Sequence, residues 1–254
     1  MTNPIGCNIN SYLSYKDSAF EHLGRIGLRN VEVPLPDAEK ADDLRKQLDV
    51  LELTPLSLMV PCLLDADDCV QRFAKSLETV SSLGVRQAFI SVKSGEIDRD
   101  YVYGRLADIG DAAAEKDVMV VLETHPDLAT NGDVARATME GVGHPNVRIN
   151  FDTANVCFYN EGATAVSELE KVIDYVASVH LKETDGGYKS WHFPALGEGA
   201  VDFPKVFEML ADRSYSGPYI LELEGIKDEV LDQEGVHGRI EASLDYLAGH
   251  GFGI

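Results

Sequence analysis

No stretch of about 18 consecutive apolar residues occurs in this chain, so no helix long enough to span a bilayer is expected. The opening segment, MTNPIGCNINSYLSYKD, lacks a basic start followed by an apolar run, which argues against a secretory leader. Basic charge is scarce. Against 43 Asp+Glu stand only 22 Lys+Arg, a formal net charge of −21. Neither nucleic acid nor an anionic membrane surface attracts a polyanion, so no nucleic-acid partner and no membrane are expected. Cysteine is sparse too: Cys7, Cys62, Cys69 and Cys157 are too scattered for a disulfide framework or a CxxC zinc site. Free thiols in a reducing cytoplasm are the expectation. There is neither a GxGxxG turn after the first predicted strand nor a GK[ST] phosphate loop.

What is present is enough apolar side chain, 44% of 254 residues, to bury a core and disfavour disorder. A pattern recurs along the chain: a short β-branched run, a turn, then an amphipathic stretch. The runs are IGCNI, NVEVPL, PLSLMV, QAFISV, VMVVLE, VRINF, VASVHL and YILELE. The clearest helix follows the third run, where Val70, Phe73, Ala74, Leu77 and Val80 share one face of a 3.6-residue period and Gly84 stops it. Helices are also expected over Lys16 to Ile26 and from Asp37 to near Leu51, with Asp152 to Asn160 read as a loop. Eight alternating strand–helix units in about 250 residues predict an α/β fold, a parallel eight-stranded closed (β/α)8 barrel, with residues 1–254 as a single domain.

In such a barrel, chemistry sits at the C-terminal ends of the strands. Four consecutive strands end in a potential metal ligand: Glu123, Asp152, His180 and Glu222. Three carboxylates gathered without a cation would repel and raise one another's pKa. A divalent ion removes the problem. Three oxygens and an imidazole suit Mn²⁺, Mg²⁺ or Co²⁺, with Mn²⁺ first and Zn²⁺ also admissible.

Glu123, Asp152 within FDTAN, His180 within VHLKE, the later LGEGAVDF and Glu222 within ILELEG together resemble the xylose-isomerase-like superfamily of sugar and sugar-phosphate isomerases and epimerases. The resemblance implies one divalent ion on those four residues, with Glu123 and Glu222 also exchanging protons with a carbohydrate substrate through a cis-enediolate. Two departures stand out. Asn155 occupies a position where members often carry His, and Glu183 one where Asp is common. The superfamily also contains lyases, and β-elimination or dehydration of a keto-sugar at the same site is the alternative. A DNA-repair branch would need more histidine ligands and a basic face, which this chain lacks. A sugar-binding barrel without catalysis is a third possibility.

Around the four residues, His125, Lys182, His192, Asn155 and Glu32 are candidate substrate-binding residues. Glu32 can equally form a structural salt bridge. Glu224 shares side-chain parity with Glu222 and is read as supporting. His22, His144, His237 and His250 are read as structural or surface residues, and Gly197 and Gly199 as a plain turn. The acidic surplus favours a neutral over a phosphorylated sugar. A homo-oligomer is compatible with the sequence, which does not reveal its state.

Overall fold

The structure is a computed structural model and describes residues 3–253. Eight parallel strands close into a barrel: β1 (Ile5–Asn8), β2 (Asn30–Pro34), β3 (Thr54–Met59), β4 (Gln87–Ile90), β5 (Met119–Glu123), β6 (Val147–Asp152), β7 (Val176–Leu181) and β9 (Tyr219–Leu221), which pairs back onto β1. A small antiparallel ribbon, β8 (His192–Phe193) with β10 (Gly225–Ile226), lies outside the barrel sheet. The helices are α1 (Ala19–Ile26), α2 (Ala41–Val50), α3 (Cys69–Ser82), α4 (Arg99–Ala114), α5 (Gly132–Val142), α6 (Asn155–Tyr159), α7 (Ala165–Val172), α8 (Phe203–Asp212) and α9 (Gln233–Gly249). No helix among the described residues is long and apolar enough to cross a membrane. All four cysteines are free.

The helices start where short polar side chains satisfy their first N–H groups. Asp98, Asn131, Thr164, Asp202 and Asp232 each accept from the first turn of the helix that follows. A cap of this kind typically contributes about 0.5–2 kcal/mol. Gly84, at φ +73°, takes the left-handed turn just beyond α3 that ends the helix. Phe73, Leu77 and Val80 are buried on the face their spacing predicts.

Alternation along the strands explains why the barrel has two kinds of interior surface. In β6, Ile149 and Phe151 are buried toward the helices, while Asn150 and Asp152 take the opposite face. In β7, Val179 and Leu181 alternate with Ser178 and His180 in the same way. Register then sets levels: Asn8 pairs with Glu32, Glu32 with Ser57, and Asp152 with His180. The polar members therefore form a buried column inside the barrel that rises to its C-terminal mouth.

Three local expectations differ from the structure. The stretch after Asp152 is not all loop, because α6 forms there. The first helix begins at Ala19, and the preceding Ile9–Ser18 is 3₁₀ in character, broken at Leu13. The eighth barrel strand ends at Leu221, so Glu222 sits one residue past it.

Candidate metal centre

Glu123 is the last residue of β5, Asp152 the last of β6, His180 the penultimate residue of β7, and Glu222 follows β9. One ligand atom from each of the four lies within 4.8 Å of all the others. Asp152 is oriented by its backbone surroundings. Its Oδ1 accepts from the N–H groups of Ala154 and Asn155, both at 2.8 Å, which leaves Oδ2 buried without a hydrogen-bond partner. His180 is oriented by Glu32. Its Nε2 lies 2.9 Å from Glu32 Oε1, and its Nδ1 lies 3.2 Å from Glu222 Oε2. A hydrogen on Nε2 donated to Glu32 leaves the Nδ1 lone pair for a cation. Phe89 stacks on the imidazole at 4.9 Å between centroids.

Buried charge dominates this place. Burial, with the nearby Glu222 carboxylate adding to it, pushes the Glu123 carboxyl up to about 8, against a hydrogen bond from Ser91 and the His180 charge. Burial likewise raises Asp152 to about 6, against the opposing Lys182 ammonium. Burial would raise Glu222 as well, but Lys182 and His180 outweigh it and hold that carboxyl well below the usual range. Burial disfavours a charged His180, yet Glu222 and Glu32 outweigh it and raise its pKa well above the ordinary value. Two carboxyls forced upward, a protonated imidazole and an Asp152 Oδ2 without a hydrogen bond fit a divalent cation.

Lys182 is 1% exposed and reaches into the cluster. Its Nζ lies 3.3 Å from Glu222 Oε2, 3.6 Å from Asp152 Oδ2 and 3.2 Å from Asn155 Oδ1, forms a close ion pair with Glu224, and sits 4.7 Å from the Phe193 ring centroid. Burial opposes the charge on Lys182, but Asp152, Glu222 and Glu224 outweigh it and keep the ammonium protonated. Asn155 bridges the two halves of the site: its amide Nδ2 donates to Glu123 Oε1 at 3.3 Å while its Oδ1 accepts from Lys182.

The other candidates fall in different places. Glu32 is wholly buried behind His180. His125 is half-buried at the mouth, with Nδ1 donating to the Pro126 carbonyl at 2.9 Å and its ring edge-on to Tyr159 at 4.9 Å. Burial lowers its pKa, which leaves the ring neutral with Nε2 as the acceptor. His192 lies on the ribbon, paired in register with Ile226 and next to Trp191, rather than in the cluster. Trp191, Phe158 and Phe193 pack edge-on or tilted at 5.2–6.0 Å, and Phe158 continues to Tyr159 at 5.0 Å. An aromatic wall thus runs from the ribbon to His125. The remaining histidines lie away from the cluster: His144 and His250 bond neighbouring backbone, and His22 and His237 stack between α1 and α9.

Asn8 was not foreseen. It is fully buried, and its Nδ2 donates to Glu32 Oε1 at 2.9 Å and to Glu222 Oε1 at 3.3 Å. The signal was available, because Asn8 is a polar residue ending a buried strand. Tyr159 and Phe89 had no such signal.

The LGEG turn is organised by Glu183. Its carboxylate, 0% exposed, accepts from the N–H groups of Thr184 and Val201 at 3.0 Å and Gly197 at 2.9 Å. An internal anion therefore uses backbone donors of the kind a phosphate would require. A Cβ on Gly199 would approach Glu183 Oε1 at 2.6 Å and collide with the Thr184 carbonyl. Gly199→Ala is expected to destabilise by about 1–3 kcal/mol. At ~2–4 °C per kcal/mol for a chain of this size, a thermal melt reads it directly; an unchanged melting temperature would contradict the close packing.

A closed parallel barrel carrying three carboxylates and a histidine at the C-terminal ends of neighbouring strands defines a (β/α)8 protein with a cluster that could hold a metal ion. Within that class the chain belongs to the xylose isomerase-like TIM barrel family, whose model matches residues 20–248. It is 29% identical over 146 residues to an inosose dehydratase of Geobacillus thermodenitrificans, covering 51% of this chain and 48% of that protein. It is 42% identical over 57 residues to the L-ribulose-5-phosphate 3-epimerase UlaE of Escherichia coli, covering 22% of this chain and 19% of that protein. The chain thus aligns with less than half the length of these curated relatives. Among solved structures, the IOLI protein with a bound zinc atom superposes with a TM-score of 0.77 at 19% identity, covering 99% of this chain and 100% of that one, a likeness of fold.

Proposed function

We propose that this barrel is a divalent-metal-dependent sugar isomerase or epimerase in which Glu123, Asp152, His180 and Glu222 hold the ion. The carrying observation is the placement of two glutamates, Glu123 at the end of β5 and Glu222 just past β9, with β6 and β7 between those strands and one ligand atom of each inside the 4.8 Å cluster. A substrate seated between them presents one face to each. The bound ion would supply Lewis-acid stabilisation of negative charge on neighbouring substrate oxygens. Mn²⁺ is the preferred ion for this oxygen-rich set.

The chain's own groups then have distinct tasks. One glutamate takes the proton from the carbon beside the carbonyl. The other returns a proton to the opposite face for epimerisation, and return to the adjacent carbon gives isomerisation. The Lys182 ammonium donates to a substrate oxygen, and Asn155 holds Glu123 and Lys182 in mutual register. His125 offers Nε2 to a hydroxyl. His192 is carried beside Trp191, whose ring, 44% exposed, suits the apolar face of a sugar. With Glu183 occupying the backbone N–H groups of Gly197 and Val201 and a net charge of −21, a free sugar is favoured over a phosphorylated one.

One observation favours a second reading. Lys182 is a buried ammonium beside Glu222, and such a group can protonate a departing hydroxyl. The similarity to an inosose dehydratase over 146 residues fits a lyase of this kind. The deciding experiment is a panel of free sugars and keto-sugars in D₂O with the Mn²⁺-loaded protein. A product of unchanged backbone mass carrying deuterium beside the carbonyl supports epimerisation or isomerisation, and loss of water supports the lyase. Exchange into no sugar by a metal-loaded protein would overturn both.

Metal binding must also compete with protons. In the metal-free protein the His180 imidazole and the Glu123 and Asp152 carboxyls all titrate above their ordinary values. Each proton displaced weakens apparent affinity as pH falls below the raised pKa, by up to about tenfold per pH unit per proton. Mn²⁺ affinity is therefore expected to rise from pH 6 to pH 8, with proton release visible as a buffer-dependent calorimetric heat. A pH-independent affinity would contradict the ligand set.

A further inference from the structure

We infer that Ser11 is a positioning residue for Glu222, and that a buried chain from Tyr12 through His22 to Glu241 holds Ser11 in place; this rests on Glu222 being a metal ligand. Strand β9 ends at Leu221, so the backbone that carries Glu222 leaves the sheet just where it must be held still. Ser11 adds a side-chain hold to the last ladder contacts there. Its hydroxyl donates to the Leu221 carbonyl at 3.3 Å and accepts from the Leu223 N–H at 3.0 Å. One buried side chain therefore grips the peptide groups on both sides of Glu222. Among the described residues no other side chain bonds to those two backbone groups, and Glu222 itself donates its N–H to the Leu181 carbonyl.

The segment that carries Ser11 does not hold itself. Ile9–Ser18 is broken at Leu13, which sits at φ +54°, ψ −115°, a conformation costly for a leucine. Such strain persists only where the surroundings over-determine the backbone. Here they do so through Tyr12, 0% exposed, whose hydroxyl lies 2.6 Å from Nδ1 of the buried His22 on α1. Nε2 of His22 lies 2.9 Å from Glu241 on α9. With the Nε2 hydrogen given to the carboxylate, Nδ1 accepts from the tyrosine, and each polar atom of this chain is satisfied. His237 stacks on His22 at 3.8 Å and bonds Ser18 at 2.9 Å, pinning the far end of the same segment. Two helices outside the metal cluster thus fix the loop that steadies one of its ligands.

The test uses Co²⁺ as probe, so that it reads ligand geometry without a substrate. Affinity and the visible absorption band are measured for the full chain and for Ser11→Ala, Tyr12→Phe, Glu241→Ala and Glu241→Gln. Ser11→Ala is expected to weaken Co²⁺ at least tenfold and to alter the band, while remaining folded by circular dichroism. Tyr12→Phe and Glu241→Ala are expected to weaken it severalfold. Glu241→Gln, which keeps an acceptor oxygen for His22, is expected to restore affinity to within twofold of wild type. If wild type binds Co²⁺ and Ser11→Ala matches it within twofold with the same band, the positioning role is overturned while the metal centre stands. If wild type itself binds no Co²⁺, the metal centre falls and the inference falls with it.

Discussion

Glu123→Gln and Glu222→Gln are each expected to slow conversion of substrate by about 10²–10⁴-fold, the range a positioned base contributes. Glutamine nearly matches glutamate in shape. Asn155 still finds an acceptor oxygen at position 123, whereas a glutamine at 222 keeps an acceptor for only one of Asn8 and Lys182, which donate to different oxygens of Glu222. What both variants lose is the ability to take a proton. The two variants also fail differently. With two bases on opposite faces, removing one blocks conversion but leaves the other able to exchange the proton that faces it. Each variant is then expected to exchange solvent deuterium into only one of the two epimers, and the two variants into opposite ones, with metal content measured alongside. Near-wild-type conversion in either variant would remove that glutamate from the mechanism.

Glu32→Gln is expected to weaken Mn²⁺ binding about 10–100-fold, the usual effect of disturbing the partner of a ligating histidine. Glu32 is wholly buried, and its Oε1 faces both His180 Nε2 and Asn8 Nδ2 at 2.9 Å. Its charge keeps the imidazole hydrogen on Nε2, which is what leaves the Nδ1 lone pair for a cation. A neutral amide no longer enforces that tautomer, and an amide NH₂ turned to the ring would favour the wrong one. Titration calorimetry with Mn²⁺ measures the change, and an affinity within twofold of wild type would show that the orientation of His180 is set elsewhere.

Much of this centre was legible because strand periodicity carries it. VRINFD and VASVHL alternate apolar with polar residues, and once both faces of a strand are buried the polar set must line the barrel interior. The level of Asp152 and His180 follows from the same pattern, and the structure pairs them directly. Harder to read are the partnerships that depend on closure. Glu32 meets His180 across 148 residues of sequence, and Asn8 meets Glu222 across 214. No local pattern encodes such a meeting, because it exists only after β9 has paired with β1. Helix α6 leaves no trace in the sequence pattern because five residues are too few to show a helical period. The end of β9 was misplaced because YILELE alternates beyond Leu221, whereas the Leu223 N–H is taken by a serine side chain instead of a strand.

The ammonium of Lys182 gives the mouth of the barrel an internal countercharge among Asp152, Glu222 and Glu224. Its consequence is one of timing. A small domain whose acidic cluster has only the ion to oppose it must wait for that ion before it can fold, but a barrel that brings its own cation, with an extensive apolar core behind it, is free to fold first and load later. Under the proposed function, synthesis and activation would be separate events in the life of the molecule, and the working fraction of a folded population would follow the supply of the ion rather than the rate at which chains are made.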